Sequence, residues 1–177
     1  MNSIGQVWYF CEMTIQIRPI GEADIPAVAQ LLAALAARYI LHECPPEATA
    51  HFLGENSETG LRSFIAQGHV YHVAMDGGEL AGFVAVRARS HLFHLFVAEA
   101  CQHQGLARRL WETARAAAIA AGGDGSFTVN SSNVAVGVYE ALGFVRSAPM
   151  QSKHGLFYNP MTLAPDTGPR PERDWPA

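Results

Sequence analysis

The chain has 177 residues, a formal net charge of −4 and a hydrophobic fraction of 49%. This length suits one domain, and so much apolar sequence with only 16% charged residues predicts a folded core rather than a disordered chain. The acidic balance argues against a nucleic-acid partner, and no apolar stretch is long enough to span a bilayer. The three cysteines lack a Cys-x-x-Cys spacing, which favours reduced thiols in the cytoplasm.

The two ends of the chain differ from its middle. Residues 1–13 lack the basic start and the cleavage site of a signal peptide, so we interpret them as an N-terminal extension. Residues 165–177 are rich in proline, which predicts a loose C-terminal tail. Residues 14–164 form the predicted domain.

Apolar periodicity and turn residues predict alternating strands and helices along this domain. In chain order we expect a strand at Thr14–Arg18, a helix from Asp24 to Tyr39, an irregular helical region at Phe52–Ala66 interrupted from Gly54 to Gly60, strands at His69–Met75, Leu80–Arg89 and Leu92–Val97, a helix from Gly105 to Ala118, a strand at Ser126–Val129, a helix capped by Ser132 or Asn133 and closed by Gly143, and a final hairpin of Phe144–Arg146 with Leu156–Leu163.

The junction at Gln102–Ala107 lies between a β-rich strand and an amphipathic helix. A glycine at a helix start lets several backbone N–H groups point to one spot, and the helix dipole favours an anion there, commonly a pyrophosphate. Such a glycine more often marks only the boundary between two elements and has no role in binding. The local pattern therefore indicates an anion site without establishing one.

Two motifs resemble the signatures of the GCN5-related N-acetyltransferase (GNAT) family. Gln102-x-x-Gly105-x-Ala107, after a strand that ends Leu95-x-Val97, is similar to the acetyl-CoA loop that the family writes Arg/Gln-x-x-Gly-x-Gly/Ala. About thirty residues later, Val138–Phe144 (VYEALGF) resembles the second signature, a helix that carries a tyrosine and ends in Leu-Gly-Phe. The resemblance covers residues 14–163.

This resemblance implies an α/β fold with a central mixed, mostly antiparallel and splayed β-sheet flanked by helices. It also implies acetyl-CoA as cosubstrate, with the pantetheine arm inserted where two parallel strands separate. The residues that we expect at the cosubstrate are Leu95, Phe96, Val97, Gln102, His103, Gln104, Gly105, Leu106, Ala107, Arg108, Ser132 and Asn133.

Two of these expected contacts depart from the family pattern or have a simpler explanation. Ser132 stands where many members have an asparagine that contacts CoA, so Ser132 or Asn133 is expected to substitute through a hydroxyl or an amide. Arg108 is expected to reach a phosphate, although an arginine on a helix is commonly part of a solvated face.

Tyr139 holds the position of the family's general acid, which protonates the departing CoA thiolate; the alternative is a core tyrosine on an amphipathic helix. His91, six residues before Val97, is the candidate general base, since members often place Glu or His there. Strand alternation predicts that His91 shares a face with Leu95 and Val97, with His94 opposite. The alternatives are an exposed histidine and no dedicated base.

The eight histidines do not predict a metal site. His91 and His94, like His69 and His72, are three residues apart. On a regular strand that spacing places the two rings on opposite faces, so neither pair would chelate an ion. We expect no metal.

The predicted function is acetyl-CoA-dependent N-acetyl transfer, directly to a primary amine of a small molecule or peptide. Cys101 lies in the phosphate loop, where a covalent relay would be badly placed. The alternative is an acyl-CoA-binding regulatory module without turnover, against which the presence of Tyr139 argues. We expect a cytoplasmic protein with no nucleic-acid or membrane partner. Dimers are frequent in the family, which leaves a homodimer through Trp8–Phe10 open.

Overall fold

One mixed β-sheet with helices packed on both faces organises residues 15–165, the part of the chain that the computed structural model describes. The strands are β1 (Gln16–Pro19), β2 (Val70–Asp76), β3 (Glu79–Arg87), β4 (His91–Val97), β5 (Phe127–Ser131), β6 (Val145–Arg146), β7 (Gln151–Lys153) and β8 (Leu156–Leu163). The helices are α1 (Ile25–Tyr39), α2 (Pro46–Glu55), α3 (Glu58–Ala66), α4 (Leu106–Ala120) and α5 (Val136–Ala141).

The strand order is β1-β2-β3-β4-β5-β8-β6, and β7 adds a short hairpin to β8. Neighbouring strands are antiparallel except for β4 and β5, which run parallel. The mixed, mostly antiparallel sheet with flanking helices confirms the predicted fold class.

The parallel pair β4 and β5 separates after a short contact. The two strands pair only at His91 with Thr128 and at Leu92 with Val129. Beyond these positions β4 continues to Val97 beside β3, while β5 continues beside β8. The sheet is therefore splayed, and the edge of β4 that faces β5 is left without a ladder partner from Phe93 onward.

Each face of the sheet has its own apolar core. Helix α4 covers one face with Leu106, Leu110 and Trp111, each at most 3% exposed. Helices α1 and α3 cover the other with Val28 and Leu61, which are fully buried. The amphipathic spacing of α1 and α4 thus closes the two faces, as expected from the sequence.

A β-bulge at Phe93 changes which way β4 directs its side chains. Ala85 pairs with His94 but Val86 pairs with Leu92, so Phe93 is the extra residue. Leu92, Leu95 and Val97 accordingly pack toward α4, whereas Phe93 and Phe96 pack toward α1.

The predicted face of His91 was therefore wrong. Its ring lies 6.5 Å from that of Phe93, and the ring of His94 lies 4.3 Å from Phe93, on the α1 side. His91 and His94 share this side of the sheet, because the extra residue between them cancels the strand alternation.

The second helical region also differs from its prediction. Helix α2 begins at Pro46, which suits the first turn because proline lacks an N–H that would be unsatisfied there anyway. Helix α3 begins after Ser57, whose hydroxyl accepts from the N–H of Gly60. The predicted interruption from Gly54 to Gly60 is thus reduced to a tight junction between two helices.

Within residues 15–165, no helix is long and apolar enough to cross a membrane. Over the same range no group of His, Cys, Asp and Glu side chains is arranged to hold a metal ion. The predicted extension at residues 1–13, its Trp8–Phe10 cluster, Thr14 and the tail beyond Pro165 lie outside the described residues.

Candidate active site

The loop before α4 has the backbone geometry of an anion cradle. Gly105 is left-handed at φ 78°, directly before the first helical residue, and His103 is left-handed at φ 59°. In the described part of the chain, none of the backbone N–H groups from His103 to Arg108 donates to a backbone carbonyl. A Cβ on Gly105 would meet nothing within 4 Å. These N–H groups are therefore available to a ligand at the positive end of a helix dipole.

The two glutamines of this loop stabilise it through hydrogen bonds to backbone carbonyls. The side chain of Gln102 donates to the carbonyl of Val97 at 3.0 Å, which ties the loop to the end of β4. The side chain of Gln104 donates to the carbonyl of Ala100, also at 3.0 Å. Both side-chain amides are thus used inside the protein, which leaves the backbone and the exposed side chain of His103 for a ligand.

The start of α4 is anchored by residues that we expected at the cosubstrate. Leu106 is 2% exposed and belongs to the core, so only its backbone faces the loop. Ala107 is half-buried beside it. Arg108 donates to the carbonyl of Ala141 at 2.8 Å, at the C-terminal end of α5 where a cation is favoured. This bond gives Arg108 a structural partner that sequence reasoning did not foresee.

The opening between β4 and β5 leads from the cradle into the sheet. The side chains of Leu95 and Val97 point toward the α4 core, and that of Phe96 points toward the α1 core. What these three residues present to the opening is the unpaired backbone edge of β4. Such an edge suits a ligand that carries amide groups, because it can pair with them as a strand would.

The side of the opening that lies opposite β4 contains a buried asparagine that the sequence analysis missed. Asn159 on β8 is 1% exposed, and its side chain donates to Asn133 Oδ1 at 2.8 Å. Asn133 is therefore bonded within the protein. Ser132 precedes a short turn at Asn133–Ala135, and its side chain makes no capping bond. The only sequence signal for Asn159 is a polar residue in the middle of a predicted strand.

Tyr139 is fixed by the way in which α5 ends. Gly143 is left-handed at φ 97°, and the N–H groups of Gly143 and Phe144 donate to the carbonyls of Glu140 and Tyr139. This is a Schellman closure, and it confirms the prediction that Gly143 ends the helix. Phe144, 1% exposed, packs its ring 5.8 Å from that of Tyr139 and 5.4 Å from that of Trp111.

The environment of Tyr139 keeps its phenol protonated. Tyr139 is 7% exposed, and burial raises the pKa of its hydroxyl well above the usual range. It belongs to the same buried cluster as Leu92 and Val129, the pair at which β4 and β5 part. The phenol therefore carries its proton at neutral pH, and the same burial opposes its ionisation.

His91 lies at the same junction. Its Nδ1 is 2.7 Å from Thr128 Oγ1, across the first pair of the parallel ladder. Burial, followed by the charges of Arg87 and His69, lowers the pKa of His91 to about 4. The imidazole is therefore neutral at physiological pH, which leaves a lone pair available to accept a proton.

Further aromatic and histidine side chains surround His91, and the sequence analysis did not group them. His94 is buried, and its Nδ1 is 3.2 Å from the hydroxyl of Tyr71. His69 packs its ring 4.7 Å from that of Phe93. The bulge at Phe93 is what gathers them, and nothing in the sequence pattern marks a bulge there.

Comparison with known families gives one clear match. The family described as Acetyltransferase (GNAT) domain matches residues 40–165, well over half of the chain. The chain therefore belongs to the GNAT family of acetyltransferases. It is an N-acetyltransferase with acetyl-CoA as its cosubstrate. A comparison with curated protein sequences found no match.

Solved structures agree on the fold. The PaiA N-acetyltransferase of Thermoplasma acidophilum in complex with coenzyme A has a TM-score of 0.71 at 16% identity, over 85% of this chain and 99% of that one. YncA of Salmonella typhimurium with acetyl-CoA has a TM-score of 0.61 at 20% identity, over 90% and 98%. The ribosomal-protein-S18-alanine N-acetyltransferase of Escherichia coli has a TM-score of 0.58 at 22% identity, over 84% and 92%. At such identities these likenesses establish the fold alone.

Proposed function

We propose that this enzyme transfers the acetyl group of acetyl-CoA directly to a primary amine of a small molecule or peptide. The observation that supports this most is a continuous arrangement along β4. The free N–H groups of His103–Arg108 lie after its end, its unpaired edge follows, and His91 lies at the point of separation. In acetyl-CoA the phosphates would match the free N–H groups, the pantetheine amides would match the unpaired edge, and the thioester would lie near His91.

In this proposal the backbone of the loop holds the pyrophosphate. The edge of β4 beyond Leu92 pairs with the pantetheine amides and offers backbone N–H groups to the thioester oxygen. Donors aimed at a developing oxyanion are commonly the largest single contribution to acyl transfer. The splayed sheet is therefore proposed to act both as the binding groove and as the source of transition-state stabilisation.

The proposed proton transfers use His91 and Tyr139. The attacking amine must lose a proton as the C–N bond forms, and neutral His91 is the proposed acceptor. The C–S bond breaks as CoA leaves, and the protonated phenol of Tyr139 is the proposed donor to the thiolate. With a pKa of about 4 His91 is a weak base, so part of the amine is expected to arrive already neutral.

Direct transfer is proposed because neither described cysteine suits a covalent relay. Cys101 is 8% exposed, and burial, followed by the charge of Asp76, raises the pKa of its thiol. Cys44 is half-buried and donates from Sγ to the carbonyl of Ile40. A thiol that resists ionisation is a poor nucleophile.

The proposed acceptor class draws support from the family and from the name of one comparison structure. One of them is named as acting on an alanine of a ribosomal protein, which supports a peptide amine as one acceptor to be tested. We propose cytoplasmic action on small molecules or peptides, without a nucleic-acid or membrane partner. A homodimer stays an open part of this proposal.

The test is release of CoA thiol from acetyl-CoA in the presence of a panel of amines. The panel contains polyamines, free amino acids and short peptides with free N-termini, each peptide matched by its N-acetylated form. We expect release with at least one amine, with mass spectrometry showing one added acetyl group on that amine. Acetyl-CoA binding without release for any amine would contradict the proposal and support the regulatory alternative.

A further inference from the structure

A cavity of about 360 Å³ lies on the α4 face of the sheet, away from the acetyl-CoA loop. Helix α4 contributes Ala114, Ala117 and Ala118 to its wall, with Ala121 just beyond the helix end. Ala121 follows the helix start by fifteen residues, which corresponds to about 22 Å along the axis. This cavity is therefore at the opposite end of α4 from the anion cradle.

The apolar walls are formed by small side chains. Alanines on α4 face Val70 on β2 and Val86 on β3, and these short side chains leave the volume between helix and sheet unfilled. Cavities that bind small molecules are commonly 300–1,000 Å³ and mostly apolar, with a few polar groups. At about 360 Å³ this cavity matches a small ligand.

A buried histidine without a partner lines the same cavity. His72 on β2 is 7% exposed, and neither of its ring nitrogens is hydrogen-bonded to any described group. Its Nδ1 is enclosed and unpaired. Burial also lowers the pKa of His72, which keeps the imidazole neutral.

An exposed arginine lies at the rim, on a strained turn. Ala88 and Arg89, between β3 and β4, both have positive φ, at 51° and 60°, although neither is glycine. This conformation is energetically unfavourable for residues that have a Cβ, and such strain often accompanies function. Arg89 donates from Nη1 to the carbonyl of Ala121 at 3.1 Å, and it forms no ion pair with a described carboxylate.

We propose that this cavity binds a small, mostly apolar carboxylic acid, with its carboxylate on Arg89 and its body between the alanines of α4 and His72. The site is separate from the transfer chemistry, and the proposal does not depend on the identity of the amine. Charge complementarity selects the acid, because Arg89 is the charged group on the lining and its remaining N–H groups are free to pair with a carboxylate.

The test is a titration with 3-phenylpropionate, and with the neutral 3-phenylpropionamide, followed by amide chemical shifts of the full chain saturated with CoA. We expect the acid to shift residues that line the cavity, and the amide to bind about tenfold more weakly. Arg89→Gln should remove the preference for the acid. Arg62→Gln, which changes the net charge equally on a distant surface, should retain it.

A second pair of variants tests the location. Ala117→Leu fills the cavity and should abolish binding of both probes, whereas Ala120→Leu, exposed on the same helix and outside the lining, should leave binding unchanged. No shift at any cavity residue with either probe would overturn the proposal. Equal binding of acid and amide, or binding that survives Ala117→Leu, would overturn it as well.

Discussion

His91 Nδ1 and Thr128 Oγ1 lie 2.7 Å apart at the point where β4 and β5 separate. This contact uses one ring nitrogen of His91 and orients the other. If Nδ1 donates to the threonine hydroxyl, Nε2 carries the lone pair that a general base needs. Thr128 is thereby a positioning residue for His91 in the proposed reaction.

The first prediction concerns this pair. His91→Gln should lower kcat about a hundredfold with little effect on the KM for acetyl-CoA, because a base acts on the amine and not on the cosubstrate. Thr128→Val should lower kcat about tenfold, since the imidazole loses its orienting partner. Thr128→Ser, which keeps the hydroxyl, should restore the rate, and failure of this rescue would count against a positioning role.

The pH dependence of kcat/KM tests the lowered pKa of His91. Because the pKa of His91 is lowered to about 4, the base stays neutral above that pH and is lost only as the pH falls through about 4. The ratio of kcat/KM for wild type to that for His91→Gln should therefore stay constant from pH 6 to 8 with one acceptor. A ratio that collapses on going from pH 8 to pH 6 would contradict the lowered pKa.

The second prediction concerns the proposed acid. Tyr139→Phe removes only the hydroxyl, so it should lower kcat by a factor of about a hundred while acetyl-CoA affinity stays within a few-fold. Tyr158→Phe, on β8, removes the same group from a half-buried residue whose hydroxyl forms a solvent-exposed bond to Gln151, and it is the matched control. Turnover of Tyr139→Phe equal to that of the control would remove this hydroxyl from the mechanism.

The third prediction concerns acid stability. Burial lowers the pKa of His94 to about 3, so the unfolded chain binds this proton more readily than the folded protein does. The free energy of unfolding should be unaffected above about pH 6.5 and should fall as the pH is lowered, by about 2 kcal/mol at pH 5 from His94 alone. Urea unfolding at a series of pH values measures this slope.

The variant His94→Gln separates this contribution from the rest. It removes the titrating group, so its stability should change less between pH 6.5 and pH 5 than that of wild type, whatever its absolute stability. His42→Gln, at an exposed position, should keep the wild-type slope. An identical slope in His94→Gln and wild type would show that His94 is not the source.

The fourth prediction compares two glycines of the same helical region. Gly143→Ala forces an alanine into φ 97° at the end of α5, with Leu163 Cδ1 3.3 Å away, and should cost about 1–2 kcal/mol. Gly137→Ala lies inside α5 with nothing within 4 Å, and should stabilise the protein by up to about 1 kcal/mol. Chemical unfolding of the two variants would contradict this account if their effects had the same sign.

The sequence predicted those parts of the site that depend on local backbone chemistry. Gly105 and Gly143 were assigned to a helix start and a helix end, and both adopt a left-handed conformation that glycine tolerates without strain. The cores were predictable because apolar spacing matches the helix period. These features depend on a few neighbouring residues, which a sequence displays directly.

The features that the sequence did not predict depend on the tertiary structure. The bulge at Phe93 cannot be seen in a run of apolar residues, and it places His91 on the face opposite to the expected one, while His94 lies opposite Leu95 and Val97 as predicted. Helix α2 begins at Pro46, six residues before the predicted start at Phe52, because proline suits the first turn of a helix. Asn159 acquires its role through partners that are 13, 26 and 28 residues away in the chain.

The most direct test of the central claim is acetyl-CoA binding by Gly105→Asp and Gly105→Asn, measured by calorimetry. Both side chains tolerate the left-handed backbone and differ mainly in charge. If the loop backbone holds the pyrophosphate, Asn should retain affinity within about tenfold, and Asp should weaken binding at least about a hundredfold further. Equal affinity of the two variants, at the wild-type value, would contradict the assignment of this loop as the phosphate site.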